Sequence, residues 1–172
     1  LYDYSGKEVM PCIFETMKSS NGYLLCQRDK KWGVYTTNFE ELYPCQYQNV
    51  KFNIVNNKLF LYTQQRGLWG VIDFENGHQL LDNNFTEIST VILNDETCYK
   101  VKNNDKVGLY ASNGILILPC EYNDISINGT TIEVTKDNTV GIYDNYGTPL
   151  VPEGTYNSYA KEGAFFAKVS KG

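Results

Sequence analysis

The chain contains a single histidine, His78, so a mechanism that needs a histidine base would have to use this residue. In a Ser-His-Asp arrangement the imidazole takes the proton of the nucleophile, and no serine, cysteine and acidic residue group with His78 along the sequence. His78 follows Asn76-Gly77, a dipeptide typical of a turn. We therefore expect an exposed turn residue here and no catalytic residue.

The acidic residues do not form a distinct pair either. A glycosidase needs two carboxylates roughly 5–10 Å apart in a cleft, and a repetitive sequence offers no unique pair. The stretches Asn94-Asp95-Glu96 and Asn103-Asn104-Asp105 are rich in oxygen ligands, but neither has the regular spacing of a calcium loop. We interpret these residues as solvated loop charge. The sequence predicts no metal, no cofactor and no enzymatic activity.

The five cysteines are an odd number, so at least one of them lies outside any intramolecular disulfide. Three of them, Cys12, Cys45 and Cys120, each follow a proline at the same place in a repeat. No pair has the C-x-x-C spacing of a metal or redox site. We predict free thiols with a small, buried apolar role.

Composition limits the classes of partner. The chain has 172 residues and a formal net charge of −5, and duplex nucleic acid binding needs a basic surface. No apolar run approaches the roughly 20 residues of a membrane helix. The sequence begins at Leu1 without a signal peptide, and we expect an upstream segment to be missing. Compartment and oligomeric state are left open, and a nucleic acid partner and a membrane span are not expected.

One phrase organises the chain, and its first copy is Lys31-Trp32-Gly33-Val34-Tyr35. Its glycine recurs after 37, 38 and 33 residues, and the chain opens on the tail of the same phrase. Self-similarity at this period indicates a repeat architecture. We expect one β-repeat array over residues 1–172, with units of roughly 1–32, 33–69, 70–107, 108–140 and 141–172.

Each unit is predicted to contain three antiparallel strands. The phrase itself alternates apolar side chains, as Trp32 and Val34 do, and a turn and a short apolar return strand follow. Proline ends most return strands, which places them at an edge or stops pairing. A further strand follows a polar turn such as Asn21-Gly22. The sequence thus predicts an all-β fold, arranged as an open twisted hairpin array or, alternatively, as a closed propeller-like ring.

The aromatic residues are the feature most relevant to binding. We expect Trp32 and Trp69 to be mostly buried in the core. Tyrosines outside the repeat positions are candidates to line a surface for peptides or glycans, because aromatic rings supply large amphipathic contact area at low entropy cost. These candidate ligand-surface residues are Tyr23, Tyr62, Tyr99 and Tyr159.

The repeated phrase resembles that of the WG-repeat family. The resemblance rests on Lys31-Trp32-Gly33-Val34-Tyr35, on Leu68-Trp69-Gly70-Val71-Ile72-Asp73, and on the Pro-Cys-x-Tyr phrases that begin at Pro44 and Pro119. The closing residues 162–169 also look like the family's third segment. Val107 and Val140 depart from it, since they replace the tryptophan. The resemblance implies a bacterial β-rich repeat protein with no established common activity and no catalytic residues to carry over.

Three functions fit this description. The first is a binding or scaffold module for protein or glycan ligands, because repeat arrays present extended surfaces. It predicts a continuous apolar or aromatic patch. The second is a structural spacer within a larger repeat protein, which predicts polar faces throughout. The third is a hydrolase with an unrecognised site, which needs one non-repeated group of polar residues.

Overall fold

The computed structural model describes residues 4–6, 13–156, 158–162 and 166–170, with side chains described through residue 154. Every regular element in these ranges is a β-strand. The all-β prediction is therefore confirmed. Within the described part of the chain, no helix is long and apolar enough to cross a membrane.

The strands follow one another as meanders, four to a sheet, with sequential strands paired. Sheet 1 contains β1 (Thr16–Ser20), β2 (Tyr23–Arg28), β3 (Lys31–Tyr35) and β4 (Glu41–Tyr47). Sheet 2 contains β5 (Asn49–Val55), β6 (Lys58–Gln65), β7 (Leu68–Asp73) and β8 (Gln79–Phe85). Sheet 3 contains β9 (Glu87–Leu93), β10 (Glu96–Asn103), β11 (Lys106–Ala111) and β12 (Leu116–Tyr122). Sheet 4 contains β13 (Asp124–Asn128), β14 (Thr131–Lys136), β15 (Thr139–Asp144) and β16 (Pro149–Tyr156), and the hairpin of β17 (Ser158–Glu162) and β18 (Phe166–Ser170) follows.

The expectation of three strands per unit is corrected to four. The additional strand is the first of each sheet (β1, β5, β9 and β13). In sheet 2 it lies between Tyr47, the aromatic residue that ends the preceding return strand, and the polar turn Asn56-Asn57. In sheets 2, 3 and 4 a single residue separates this strand from the preceding sheet. Gln48 alone separates β4 from β5, and its backbone N–H donates to the carbonyl of Gln64. Because this connection is a single residue, the sequence shows no loop between the two strands, and the junction looks like a turn within one sheet. The glycine-based unit boundaries fall inside the third strand of each sheet, whereas the sheets change at Gln48, Thr86 and Asn123.

The chain divides into two compact units, residues 1–83 and 84–172. In the first unit, one face of sheet 1 packs on one face of sheet 2. Leu25, Val34 and Tyr47 of sheet 1 form a single buried cluster with three residues of sheet 2, namely Val50, Leu61 and Ile72. The aromatic residue that ends the return strand, Tyr47, thus fills the seam between the sheets.

The second unit repeats this arrangement. Leu109, Leu118 and Tyr122 of sheet 3 lie in one buried cluster with residues of sheet 4, including Ile132 and Val134. Successive sheets within a unit therefore stack face to face over an apolar seam. Burial of apolar surface at about 25 cal/mol per Å² makes such a seam the main stabilising contribution.

The repeated glycine lies beneath the return strand. In sheet 1 the pairs Trp32–Tyr47 and Val34–Tyr43 show that β3 advances two residues while β4 advances four, so β4 bulges over Gly33. A Cβ atom on Gly33 would lie 2.6 Å from the carbonyl oxygen of Tyr43 and 2.8 Å from the backbone nitrogen of Cys45. Only glycine leaves room for this close approach of two backbones.

The same contact recurs in the other sheets. A Cβ on Gly70 would lie 2.6 Å from the carbonyl oxygen of Leu81, and one on Gly108 would lie 2.7 Å from the Sγ atom of Cys120. Gly141 has more room, with its nearest neighbours at 3.1 Å. The return strands β4, β12 and β16 are edge strands and carry proline where they bulge. The edge position predicted for them is confirmed, because proline cannot donate to a ladder. The prediction that proline ends these strands is wrong, since β4 continues past Pro44 to Tyr47 and β12 continues past Pro119 to Tyr122.

The residue after the bulge proline covers the glycine. Cys45 and Cys120 occupy this equivalent place and are half-buried free thiols, and Cys26 and Cys98 are also free. In sheet 2 the place is taken by Asn83, whose side-chain amide donates to the carbonyl of Thr63 at 2.7 Å. Burial, and then the neighbouring Cys45, raises the pKa of the Cys26 thiol to about 11. The third predicted thiol, Cys12, lies outside the described residues.

The two tryptophans are only partly buried. Each lies beneath a lysine of the first strand of its sheet: the Lys18 Nζ atom is 5.1 Å from the Trp32 ring centroid, and the Lys51 Nζ atom is 4.9 Å from that of Trp69. The ammonium group over the ring is a cation–π contact, and the lysine stem covers the indole. The prediction of mostly buried tryptophans therefore holds only in part, since a polar side chain completes their cover.

The glycine contact predicts a graded loss of stability in alanine variants. Overpacking costs about 1–3 kcal/mol, and replacing a strand glycine with alanine recovers about 0.5–1 kcal/mol of that cost. Gly33→Ala and Gly70→Ala should therefore each lower the free energy of unfolding by about 1–2 kcal/mol, net of this gain. Urea denaturation measures the difference. Gly141→Ala is the matched comparison and should lose less, because its neighbours are farther away. Equal stability of all three variants would show that the bulge does not set the requirement for glycine.

Candidate binding surface

Exposed apolar side chains concentrate at one end of the sheets. We call this the turn end: it carries the hairpin between the first and second strands and the connection between the third and fourth. Among the described residues, ten large apolar side chains are exposed, and the following seven lie at this end: Leu42, Ile54, Ile92, Ile115, Leu116, Tyr146 and Leu150. Ile115 and Tyr146 are 64% and 80% exposed. The other three, Tyr4, Ile13 and Met17, lie before or within β1.

The first unit has a cleft of about 520 Å³ at its turn end, which we call the aromatic cleft. It lies where sheets 1 and 2 meet and is lined by Tyr23, Thr36, Leu42, Tyr43, Leu59, Phe74, Glu75 and Gly77. Sheet 1 contributes the first four of these residues, and sheet 2 contributes the others. The seam that holds the sheets together therefore opens at this end into a cleft.

Phe74 is the central ring of the aromatic cleft. Its centroid lies 4.7 Å from that of Tyr23, 5.6 Å from that of Tyr43 and 4.9 Å from that of Phe52. The contacts with Tyr23 and Phe52 are edge-to-face, which is the favoured geometry for aromatic pairs. Burial is the main reason that the pKa of the Tyr43 hydroxyl is raised, followed by the nearby Tyr47 and Asp73. The cleft is thus held by rings that support each other, and Tyr43 supplies a neutral hydroxyl.

The second unit has a cleft of about 280 Å³ at the equivalent place, which we call the apolar cleft. Its lining consists of Leu93, Asn94, Glu96, Cys98, Ala111, Ile115, Leu116, Ile117, Asn145 and Tyr146. Register shows the equivalence: Tyr43 pairs with Val34 and Leu118 pairs with Leu109, so the residues before them, Leu42 and Ile117, correspond. One surface type is therefore built twice from the same part of the repeat.

The turn end is acidic in both units. In the first unit it carries Glu40, Glu41, Asp73 and Glu75, with Lys58 as the one basic side chain described there. In the second unit it carries Asp95, Glu96 and Asp144, and all four lysines with described side chains lie elsewhere. The opposite end of the first unit carries four of that unit's seven described lysine and arginine side chains: Arg28, Lys30, Lys31 and Arg66.

The four tyrosines predicted to line a ligand surface are not brought together. Tyr23 lines the aromatic cleft. Tyr62 and Tyr99 are 2% and 0% exposed, so their placement on a surface is corrected. They belong to β6 and β10, which are central strands, and side chains on both faces of a central strand are covered. The side chain of Tyr159 lies outside the described residues.

Sequence reasoning missed Tyr43 and Phe74, which line the aromatic cleft. Tyr43 was assigned to the return strand, and Phe74 stands in the turn that follows the repeated phrase. A signal for Phe74 was available, because the corresponding residues of the other copies are polar: Thr37, Ser112 and Asn145. A large ring in a position where the repeat otherwise has a small polar residue is not required by the fold.

The residues with catalytic potential are dispersed. His78 is exposed in the turn before β8, where its backbone N–H donates to the Asn76 side chain at 2.8 Å. Asn94-Asp95 and Asn104-Asp105 form two-residue hairpin turns, in which all four residues have positive φ. These turns explain their composition, since asparagine and aspartate tolerate that conformation. Within the described ranges, no group of three or more His, Cys, Asp or Glu residues is placed to hold a metal ion.

A polar network in the second unit joins two tyrosines to a carboxylate. The Tyr122 hydroxyl donates to the Tyr143 hydroxyl at 3.2 Å, and the latter donates to the carboxylate of Glu153. The Nζ atom of Lys136 lies 3.2 Å from the Oε2 atom of Glu121 and 4.0 Å from the Oε1 atom of Glu153. Tyr122 and Tyr143 are buried in the seam between sheets 3 and 4, and burial raises the pKa of both hydroxyls. This network has a structural role, because it satisfies polar groups at an apolar interface.

The network predicts a pH-dependent contribution to stability. The hydrogen bond from Tyr143 holds the pKa of the Glu153 carboxyl below its ordinary value of 4.5. A lowered pKa in the folded state gives a stabilisation that is present above pH 4.5 and lost as the pH falls through the lower, folded-state pKa. At pH 7, Glu153→Gln should lower the free energy of unfolding by about 1–2 kcal/mol in urea titrations. The difference in stability between this variant and the native chain should become smaller in acid.

The control for this prediction is Glu121→Gln, which removes a more exposed partner of Lys136 and should cost less than about 1 kcal/mol. A loss in Glu153→Gln that stays constant with pH would show that the ionised carboxylate is not the stabilising species.

No protein-family model matches the chain, and no curated protein matches it. Among solved structures, the chain is similar to a structure described as the AfRom2 CNH domain, with 13% sequence identity. The alignment covers 92% of this chain and 76% of that domain, at a TM-score of 0.31. A likeness at this level carries no argument about fold or function, which are therefore argued from the residues of this chain.

Proposed function

We propose that this chain is a non-catalytic binding module that engages a protein ligand through the turn end of its stacked sheets. The observation that carries the proposal is the concentration of exposed apolar side chains around two equivalent clefts. Contiguous exposed apolar surface is costly to maintain in water and marks interaction sites. A seam between sheets that opens at a solvent-exposed end supplies such surface in each unit.

The side-chain types favour a protein over a glycan. Sugars bind on the faces of aromatic rings, whereas most of the exposed apolar residues at the turn end are aliphatic. Leu42, Ile115 and Leu116 are suited to burial against apolar side chains of a partner, with a gain of about 1.5–3 kcal/mol for each one fully buried. The same residues oppose the spacer hypothesis, which predicts polar faces throughout.

The lining of the clefts supports binding rather than catalysis. Each cleft has a single carboxylate in its lining, Glu75 in one and Glu96 in the other. Glycoside hydrolysis uses two carboxylates that face each other across the scissile bond. We propose that these residues act in recognition, as the charged members of an otherwise apolar surface.

We also propose that the chain belongs among WG-repeat proteins. The support is physical: the return strand passes close over the glycine of the phrase, and at Gly33, Gly70 and Gly108 this contact leaves no room for a Cβ atom. A motif that encodes a recurring backbone contact defines an architecture and leaves the surface free to vary. This is consistent with a family without a common activity.

The test is selection of ligands from a random peptide library displayed on phage, followed by affinity measurement on the selected peptides. Leu42→Ser and Leu116→Ser remove an exposed apolar side chain from each cleft region and should weaken binding by about tenfold or more. Ile13→Ser is the matched control, because Ile13 is exposed to a similar degree as Leu42 but lies outside the clefts. It should leave affinity unchanged.

Other outcomes would overturn the proposal. Peptides whose affinity falls equally in Ile13→Ser and in the two cleft variants would place recognition elsewhere. Ligands found on a glycan array but not in the peptide library would assign a carbohydrate partner. An absence of specific ligands from both would favour the spacer.

A further inference from the structure

We propose that the aromatic cleft receives the cationic side chain of a lysine or arginine of the protein ligand. The inference deepens the proposed function, on which it rests, by naming the chemistry of the residue that is bound. It is carried by three observations in the first unit: a wall of aromatic rings, an exposed carboxylate at its rim, and the distribution of charge between the two ends of the sheets.

The ring wall has the composition of a cation site. Tyr23, Tyr43 and Phe74 line one cleft. The ring centroid of Phe74 lies 4.7 Å from that of Tyr23 and 5.6 Å from that of Tyr43. A cation within about 6 Å of an aromatic ring centroid is attracted by the ring quadrupole, and the gain rises when the cation is partly desolvated. The apolar cleft of the second unit has Asn145 where this cleft has Phe74, and Tyr146 is the one ring in its lining, so the group of three rings is particular to the aromatic cleft.

Glu75 supplies the negative charge. It lines the same cleft and is exposed, and its backbone N–H donates to the carboxylate of Asp73 at 3.1 Å, which fixes the turn that presents it. Among the described residues, no lysine or arginine lies within ion-pair distance of its carboxylate. The Asp73 carboxylate is already engaged, since it accepts hydrogen bonds from Glu75 and Asn76. Glu75 is therefore the carboxylate at the rim that is available to a ligand.

The field of the first unit favours a cation at this end. The turn end has four carboxylates and one lysine, and most of the unit's described basic side chains lie at the opposite end or over the tryptophans. Complementary potentials of this kind steer encounter and suppress partners of the wrong charge. An acidic ligand segment would meet Glu40, Glu41 and Glu75, with Lys58 as the one described basic side chain at this end. A basic residue next to an apolar one matches both the rings and the neighbouring Leu42.

The probes are two synthetic peptides, acetyl-Gly-Leu-Arg-Leu-Gly-amide and the same peptide with norleucine in place of arginine. Norleucine keeps the aliphatic stem and removes the charge. Titrated into the ¹⁵N-labelled native chain, the arginine peptide should bind about five- to thirtyfold more tightly than the norleucine peptide. The amide resonance of Gly77 should respond, because Gly77 lines the cleft.

Variants locate the preference. Glu75→Gln and Phe74→Leu should each reduce the ratio of the two affinities, since one removes the charge and the other removes the ring. Glu40→Gln is the matched control, because it removes a carboxylate from the same end without touching the cleft lining. It should leave most of the preference in place. Thermal unfolding of Phe74→Leu checks its fold, and Glu75→Gln tests the inference at an exposed residue if Phe74→Leu is unstable.

The outcomes distinguish this inference from the function on which it rests. Equal binding of both peptides at the aromatic cleft would overturn the cationic specificity and leave the binding module standing. A preference that is equally reduced by Glu40→Gln would show a general field effect and overturn the assignment to Glu75 and the rings. If neither peptide binds and the phage library yields no ligand, both the inference and the proposed function are wrong.

Discussion

The structure depends on one backbone contact, the passage of a bulged return strand over the glycine of the repeated phrase. At Gly33 and Gly70 a carbonyl oxygen of the return strand lies 2.6 Å from the point where a Cβ atom would stand. The bulge turns the edge strand across its neighbour, and after that strand ends at Tyr47 only Gln48 separates it from the next sheet. The glycine contact therefore determines where one sheet ends and how its face is presented to the next one within the unit.

Face-to-face stacking has a consequence for the surface. The seams are sealed by aromatic side chains, Tyr47 in the first unit and Tyr122 in the second, at the end where the chain passes between sheets. At the turn end the seam opens into clefts, and in the first unit Phe74, which directly follows β7, lines the cleft instead of closing it. The apolar content of the core thus extends into solvent at one end, where the exposed Leu42, Ile115 and Leu116 continue it. The proposed binding surface is a consequence of the way the repeat packs.

Much of the fold was predictable because the same sequence pattern occurs in each repeat. Glycine, proline and the asparagine-rich turns each carry a backbone requirement, and the structure confirms the strand of the repeated phrase and the turn that follows it. The return strand was predicted to end at Pro44, but it continues to Tyr47 because the bulge carries it past the proline. The first strand of each sheet was not predicted. In β1 and β13 its apolar positions are few and alternate with serine, threonine or asparagine, and Gln48 alone marks its start in sheet 2. Pairing with a neighbour, which sequence does not display, makes these segments strands.

The candidate site was less predictable, since it depends on which strand is central. Tyr62 and Tyr99 are amphipathic residues of the kind that often lines a surface. Their strands, β6 and β10, are paired with another strand on each side, and their rings are buried. Tyr23 occupies the first position of its strand, at the turn end, and remains accessible there. Phe74 could have been noticed as a departure from the repeat, but its three ring neighbours come from two sheets and become visible only in three dimensions.

The most direct measurement of the central claim is a backbone amide footprint of the ¹⁵N-labelled chain with a ligand selected against it. Binding through the turn end predicts that the perturbed resonances belong to the connections around Thr36, Gly77 and Ile115, which line the two clefts. The two-residue turns at the opposite end, such as Asp29-Lys30 and Arg66-Gly67, should be unaffected. A footprint centred on those opposite turns, or on the edge strands, would contradict the account.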